Sequence, residues 1–186
     1  MTEGFESFEA GIGVQFKQPE LLRQAFTHRS YLNEHREEEV EHNERLEFLG
    51  DAVLELVVTH YLYVQYPNKP EGDLTAFRAA LVNAVTLAGV AAEIGMNDHL
   101  LLSRGEAKDT GRARSILLAN AIEALIGAIY LDQGYETAEK FIEKHLFPKM
   151  DEIMKNKLWR DPKSTLQEKV QDVEGATPYY SVIRET

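Results

Sequence analysis

Four acidic side chains recur at helical spacing in the segment NERLEFLGDAVLE, residues 43 to 55. At 3.6 residues per turn, Glu44, Glu47, Asp51 and Glu55 fall within about 80° of one another and share one helix face. Like charges four residues apart repel each other, at a cost of about 0.2 to 0.5 kcal/mol per pair. A bound divalent cation would reverse the sign of that interaction. Oxygen ligands without Cys favour Mg²⁺ or Mn²⁺.

The alternative for this acidic stripe is a solvated helix face, which is the more common origin of such a pattern. A solvated face usually sets an acidic residue against Lys or Arg four positions further on. Here Asp51 follows Glu47 at that spacing, and Glu55 follows Asp51. The missing cations favour metal binding over simple solvation.

A second polar position lies inside the apolar segment ILLANAIEALIGAIYL, where Asn120 and Glu123 are the strongly polar residues. An ionised Glu is almost never fully buried without a partner. The two residues are three apart and share a helix face, so we expect this face to meet the acidic stripe, with metal between them. Two alternatives stay open for Glu123: an ion pair with an Arg such as Arg45 or Arg78, and a protonated carboxyl group.

The elements that would position these groups are predicted to be helical. Apolar periodicity and Pro, Asn and Gly signals at the ends predict helices over 19–28, 43–65, 71–92, 115–132 and 135–150. The polar segment 103–114 is predicted to be a loop. The core-facing side of the 43–65 helix is expected to carry Leu46, Leu49, Val53, Leu56 and Val57.

Length and composition limit the class of protein. The 186 residues suffice for one domain and a remainder, and the chain has no Cys and a net charge of −11. No apolar run of about 18 residues and no N-terminal signal peptide are visible, so we expect neither a membrane protein nor an exported one. The absence of Cys fits a reducing cytoplasm. Such acidity argues, by itself, against nucleic acid as a partner.

The amino-acid composition of the sequence changes near residue 155. Residues 155–161 are polar and predict a linker, after which TLQEKVQDV is typical of a helix and PYYSVIRE of a strand. One helix and one strand bury too little surface to fold alone. The sequence therefore predicts a main domain over 1–154 and the beginning of a second domain over 162–186.

Several motifs together resemble one known family. HNERLEFLGDAVLELVVTHYLY resembles the ribonuclease III signature helix, and GEAKDTGRARSILLANAIEALIGAIYLD resembles the second active-site segment of that family. PEGDLTAFRAALVN and AFTHRSYLNE are similar to further family segments. DPKSTLQEKVQ and TPYYSVIRET resemble the start of its double-stranded-RNA-binding domain. The resemblance implies an all-α catalytic domain followed by a truncated α/β RNA-binding domain.

The resemblance also implies an activity, which is cleavage of double-stranded RNA by a cytoplasmic homodimer with Mg²⁺, leaving 5′-phosphate and 3′-hydroxyl ends. Mn²⁺ would be able to substitute. Precursors of ribosomal and transfer RNA and structured messages are the substrates that the resemblance suggests. The residues implied in catalysis are Glu44, Asp51 and Glu123, and those implied in metal binding are Glu47, Asp51, Asn120 and Glu123.

Further residues match family positions with less defined roles. Glu71 and Glu106 match additional acidic positions, and Phe48 matches an aromatic at the family's dimer interface, where plain core packing is the alternative. We expect the basic loop to contact RNA through Arg104, Lys108, Arg112 and Arg114, although a basic loop is more often only solvated.

One position departs from the family pattern, because Asn120 stands where Asp is usual. An amide oxygen still ligates Mg²⁺ but brings no charge, so either this lineage tolerates Asn or the site is impaired. The rival function is therefore an inert RNA-binding scaffold. A di-iron bundle is a weaker rival, since it usually needs two Glu-x-x-His motifs and the chain offers one, at Glu39 and His42.

Overall fold

The computed structural model describes residues 4–159 and six isolated positions beyond them, which are Gln167, Val170, Gln171, Val173, Gly175 and Tyr179. Helices form most of residues 4–159, and no strand lies among the described residues. In chain order the helices are α1 (Glu6–Ile12), α2 (Pro19–Phe26), α3 (Arg29–Glu34), α4 (Glu44–Gln65), α5 (Glu71–Leu81), α6 (Ala84–Glu93), α7 (Arg112–Gln133), α8 (Tyr135–His145) and α9 (Lys149–Asn156). Two short 3₁₀ turns, Met96–Asp98 and Glu106–Lys108, lie between α6 and α7.

Helix α7 is the centre of the domain and packs against α2, α4, α6 and α8. Most of its apolar side chains are buried, from Leu118 to Ile129. By length and hydropathy alone α7 could cross a membrane, but this burial marks it as the core helix of a folded domain. The predicted helical character is confirmed, and α4 and α7 match their predicted extents closely.

Two predicted helices are each broken in the structure. The segment 71–92 bends by 45° between α5 and α6, because the side chain of Asn83 accepts a hydrogen bond from the Thr86 N–H and caps α6. The segment 135–150 divides at Leu146–Pro148, where Pro148 precedes the first residue of α9. Helices α1 and α3 were not predicted.

The sequence-based assignment is also wrong at two finer points. Leu56 was expected in the core, but 58% of its surface is exposed. The predicted loop 103–114 ends early, because α7 already begins at Arg112.

The polypeptide beyond α9 turns back toward the domain. Helix α9 continues to Asn156, across the predicted start of the linker, and Lys157 then adopts a left-handed conformation. The ring of Trp159 packs edge-on against the buried Phe77 of α5, with ring centroids 4.9 Å apart. The predicted second domain at 162–186 lies outside the described residues, apart from the six isolated positions.

Candidate metal centre and nucleic-acid interface

The candidate site depends on an unusually close crossing of α4 and α7 at two glycines. A Cβ atom placed on Gly50 of α4 would lie 1.7 Å from the backbone oxygen of Glu123. One on Gly127 of α7 would lie 2.2 Å from the backbone oxygen of Leu46. Only glycine permits such contact between backbones. Because Asp51 follows Gly50 directly, this crossing brings the acidic stripe of α4 beside Glu123.

The electrostatics of Glu123 reflect its surroundings. Burial, followed by the neighbouring carboxylates of Asp51 and Glu47, raises the pKa of its carboxyl group to about 7. The pKa of Glu47 is also raised, first by burial and then by Glu44, with a smaller contribution from Asp51, whereas His28 opposes the shift. Three carboxyl groups from two helices therefore share one electrostatic environment, as the sequence predicted.

The ends of the acidic stripe are paired with cations, which the sequence analysis did not foresee. Arg29 lies 3.0 Å from Glu44, and Arg78 lies 3.0 Å from Glu55. Both pairs are substantially exposed to solvent and contribute little to stability. Across residues 4–159 no ion pair involves Glu47 or Asp51. The stripe therefore consists of two neutralised ends and an unneutralised middle.

Neither proposed arginine partner of Glu123 binds it. Arg45 lies near Glu41, and Arg78 is held by Glu55 and by the hydroxyl of Thr59. Within the described part of the chain, Glu123 has no ion pair and no side-chain hydrogen bond. An ion pair of Glu123 with Arg45 or Arg78 is therefore wrong. A protonated Glu123 remains compatible with its pKa of about 7.

The residues also suit a hard divalent cation in their chemistry. Asn120 is half-buried and lies one turn before Glu123 on α7, so it can add an amide oxygen to the carboxylates of Glu47, Asp51 and Glu123. Among the described residues, no three His, Asp or Glu side chains converge closely enough to form a finished metal site. The donor set fits Mg²⁺ or Mn²⁺ by its chemistry, because all of its members offer oxygen ligands.

The two additional acidic positions lie in different places. Glu106 accepts a hydrogen bond from the Ser30 hydroxyl, and Nδ1 of His28 lies 2.8 Å from the same carboxylate, at the edge of the acidic cluster. Glu71 is the exposed first residue of α5, where the Thr75 hydroxyl donates to it at 3.3 Å. Among residues 4–159 no contact joins Glu71 to Asp51 or Glu123.

The four predicted RNA-contacting residues divide into two groups. Arg104, Lys108 and Arg112 are exposed. Arg114 is half-buried and donates from Nε to the side chain of Asn97 at 2.9 Å. Its Nη1 is buried without a hydrogen-bond partner among the described residues. The first three are free to meet a polyanion, and Arg114 is turned toward the protein.

Phe48 lies on an exposed apolar face of α4. Its side chain is 82% exposed, which excludes the core-packing alternative within this chain. Leu56 and Tyr63, at 58% and 71% exposure, extend the same face along the helix. A groove of about 580 Å³, bounded by His42, Leu49 and Leu131 among others, lies beside Phe48. Large apolar side chains exposed along one helix face are typical of a protein interface.

Sequence reasoning missed the residues that hold the site together. His28, Arg29 and Ser30 contact acidic residues of the site, and Gly50 and Gly127 set the helix crossing. For the glycines a signal was present, because an isolated Gly inside a helical pattern often marks a close backbone approach. For the other three, no local pattern reveals partners that are distant along the chain.

The class that these observations define is a helical domain with a carboxylate site where its two central helices cross. The family model for ribonuclease-III-like proteins matches residues 18–150. Ribonuclease 3 of Bacillus licheniformis is 48% identical over 184 residues, which cover 99% of this chain and 74% of the relative. Ribonuclease 3 of Bacillus cereus is 46% identical over 98% of this chain and 74% of the relative.

Solved structures show the same similarity. The nuclease domain of ribonuclease III from Campylobacter jejuni matches with a TM-score of 0.69 and 41% identity, covering 78% of this chain and 99% of that one. Dicer from Pichia stipitis matches with a TM-score of 0.57 and 28% identity, covering 92% and 76%. The chain belongs to the ribonuclease III family.

Proposed function

We propose that this ribonuclease III family member is a Mg²⁺-dependent endoribonuclease that hydrolyses double-stranded RNA to 5′-phosphate and 3′-hydroxyl ends. The observation that carries the proposal is the meeting of Glu47 and Asp51 with Glu123 across the crossing of α4 and α7. Three carboxyl groups that form no ion pair among the described residues favour a divalent cation, because one cation offsets both the cost of burying their charge and their mutual repulsion.

The ligands in this proposal are Glu47, Asp51, Asn120 and Glu123, and Mn²⁺ would be able to replace Mg²⁺. When bound, the metal supplies an activated water and neutralises charge on the phosphate. Asp51, Glu123 and Glu44 are the proposed catalytic residues, and Asp51 directly follows Gly50 at the helix crossing, beside Glu123. Glu44 contributes from the end of the cluster, where Arg29 fixes its carboxylate.

The net charge of −11 is compatible with an RNA substrate if binding is divided between regions. The carboxylate cluster accepts phosphate after a cation has neutralised it, and the exposed Arg104, Lys108 and Arg112 attract the RNA backbone. Recognition is expected to follow A-form shape and 2′-hydroxyl groups more than sequence. Precursors of ribosomal and transfer RNA and structured messages in the cytoplasm are the proposed substrates.

The proposed active form is a homodimer whose interface contains the exposed face of Phe48, Leu56 and Tyr63. Large apolar side chains exposed on one helix face favour burial against a second copy. The Campylobacter jejuni structure is described as flexible in a region involved in dimer formation, which concerns that protein and is compatible with this proposal. We further propose that residues 162–186 begin a double-stranded-RNA-binding domain.

The alternative function is a catalytically impaired, RNA-binding scaffold, and Asn120 is the residue that favours it. The test is a cleavage assay on long duplex RNA at graded Mg²⁺, with wild type, Asn120→Asp and Glu123→Ala. We expect cleavage by wild type, none by Glu123→Ala, and a gain by Asn120→Asp concentrated at low Mg²⁺. Absence of cleavage by wild type at high enzyme and high Mg²⁺ would instead support the scaffold.

A further inference from the structure

The turn between α2 and α3 joins two separate parts of the site through its backbone. The carbonyl of Thr27 accepts a hydrogen bond from the N–H of Asn43, the residue before α4, at 2.9 Å. The N–H of His28 donates at 3.0 Å to the carbonyl of Leu101, which precedes the loop containing Arg104 and Lys108. One short turn therefore contacts both the beginning of the acidic helix and the beginning of the basic loop.

Side chains of this turn and of the following helix α3 strengthen the connection to the basic loop. Ser30 accepts from the Ser103 N–H at 3.1 Å and donates its hydroxyl proton to Glu106. His28 Nδ1 lies 2.8 Å from the same Glu106 oxygen. The N–H of Arg104 is bound by the Glu34 carboxylate at 3.3 Å.

On its other side the turn contacts the acidic cluster. Arg29, between His28 and Ser30, pairs with Glu44 at 3.0 Å. His28 lies near enough to Glu47 to act on it electrostatically. The partly buried hydrogen bond from Ser30 to Glu106 has a charged acceptor and is therefore among the stronger interactions in this region.

We infer that His28 and Ser30 are positioning residues for RNA cleavage, which hold Glu106 and the basic loop at a fixed place beside the carboxylate cluster. This inference rests on the proposed function for its catalytic consequence. Neither side chain needs to touch RNA or metal. We call the contacts of these two side chains with Glu106 and the basic loop the clamp. A basic loop that is fixed before RNA arrives loses less conformational freedom on binding, so the clamp is expected to increase the affinity for the substrate.

The principal test compares His28→Ala and Ser30→Ala with wild type, measuring KM and kcat for a labelled duplex RNA at saturating Mg²⁺. We expect KM to rise about tenfold in each variant, the factor that corresponds to one lost hydrogen bond to a charged group, with kcat changed less than about threefold. His28→Asn, whose amide nitrogen takes the place of Nδ1, is expected to restore KM toward wild type. Unchanged KM, or a fall in kcat alone, would overturn the inference.

A double-mutant cycle and a matched control sharpen the test. If His28 acts through Glu106, the variant with both His28→Ala and Glu106→Ala has the KM of the worse single variant, and fully additive effects overturn the clamp. Ser7→Ala, an exposed serine of α1, controls for loss of a serine hydroxyl and is expected to match wild type.

A readout independent of activity separates this inference from the proposed function. Ser30→Ala removes the acceptor of the Ser103 N–H, so hydrogen exchange at that amide is expected to accelerate about tenfold, while exchange in α7 stays unchanged. If wild type cleaves no RNA, the proposed function fails and the exchange data still decide on the clamp. Unchanged exchange at Ser103 would show that the clamp does not exist.

Discussion

Replacing Glu123 by Gln is expected to stabilise the metal-free protein at alkaline pH while abolishing cleavage. The fold raises the pKa of Glu123 from its ordinary 4.5 to about 7. A carboxyl group with a raised pKa contributes stability that is fully present below about pH 4.5 and lost as the pH rises through 7. Gln has nearly the same shape as Glu and does not ionise, so the Glu123→Gln variant does not lose this stability as the pH rises.

The magnitude follows from the size of the shift. At about 1.36 kcal/mol per pH unit, the change from 4.5 to about 7 corresponds to at most about 3 kcal/mol. The side chain is only partly buried, so solvent screening lowers the expected gain to roughly 2 kcal/mol. The difference between Glu123→Gln and wild type is therefore expected to be near zero at pH 4 and roughly 2 kcal/mol at pH 8.5.

The assay is urea unfolding in EDTA, followed by far-ultraviolet circular dichroism at a series of pH values. Addition of Mg²⁺ gives a second comparison, because a cation bound by Glu123 stabilises wild type and not the variant. Asp98→Asn, at an exposed position in a 3₁₀ turn, is the matched amide control and is expected to show no such pH dependence. A Glu123→Gln variant that is less stable than wild type at pH 8.5 would refute the reasoning.

Three further substitutions test the helix crossing, the exposed apolar face of α4 and a half-buried histidine. Gly50→Ala places a methyl group against the backbone of α7 and is expected to lower the free energy of unfolding by more than about 3 kcal/mol in urea titrations. Gly89→Ala, where the added methyl group meets open space, is the control and is expected to raise the free energy of unfolding by about 0.5 to 1 kcal/mol. Phe48→Glu is expected to convert the proposed dimer to a monomer in analytical ultracentrifugation. Val85→Glu, at a position that is 80% exposed, is the control and is expected to leave the proposed dimer intact. Burial lowers the pKa of His145, so the fold opposes its protonation. Between pH 6.5 and 5, wild type is therefore expected to lose more free energy of unfolding than His145→Gln does. Parallel plots of the free energy of unfolding against pH for the two proteins would contradict this.

The sequence was sufficient to predict the two central helices and the meeting of their carboxylates. The reason is physical, since an unpaired Glu123 within an apolar helix needs a polar neighbour and the acidic stripe was the available one. Periodicity could not tell which apolar residues of α4 face solvent. Leu56 fits the helical stripe as well as Val53 does, yet it lies on the exposed face.

The polar contacts of the site were beyond prediction for a different reason. Arg29 and Arg78 pair with Glu44 and Glu55 through the tertiary fold, at distances along the chain that local patterns do not encode. The break between α5 and α6 had a local signal in Asn83, a good capping residue, but the apolar periodicity continues across it and hides the boundary.

The packing of Trp159 on Phe77 gives the protein a built-in optical reporter. The chain contains one tryptophan, so its intrinsic fluorescence at tryptophan wavelengths arises at a single place, beyond the end of α9 and against α5. Any event that lifts this residue from Phe77 transfers the indole toward water and shifts its emission to longer wavelength. Detachment of the segment that follows the catalytic domain can therefore be followed without any added label.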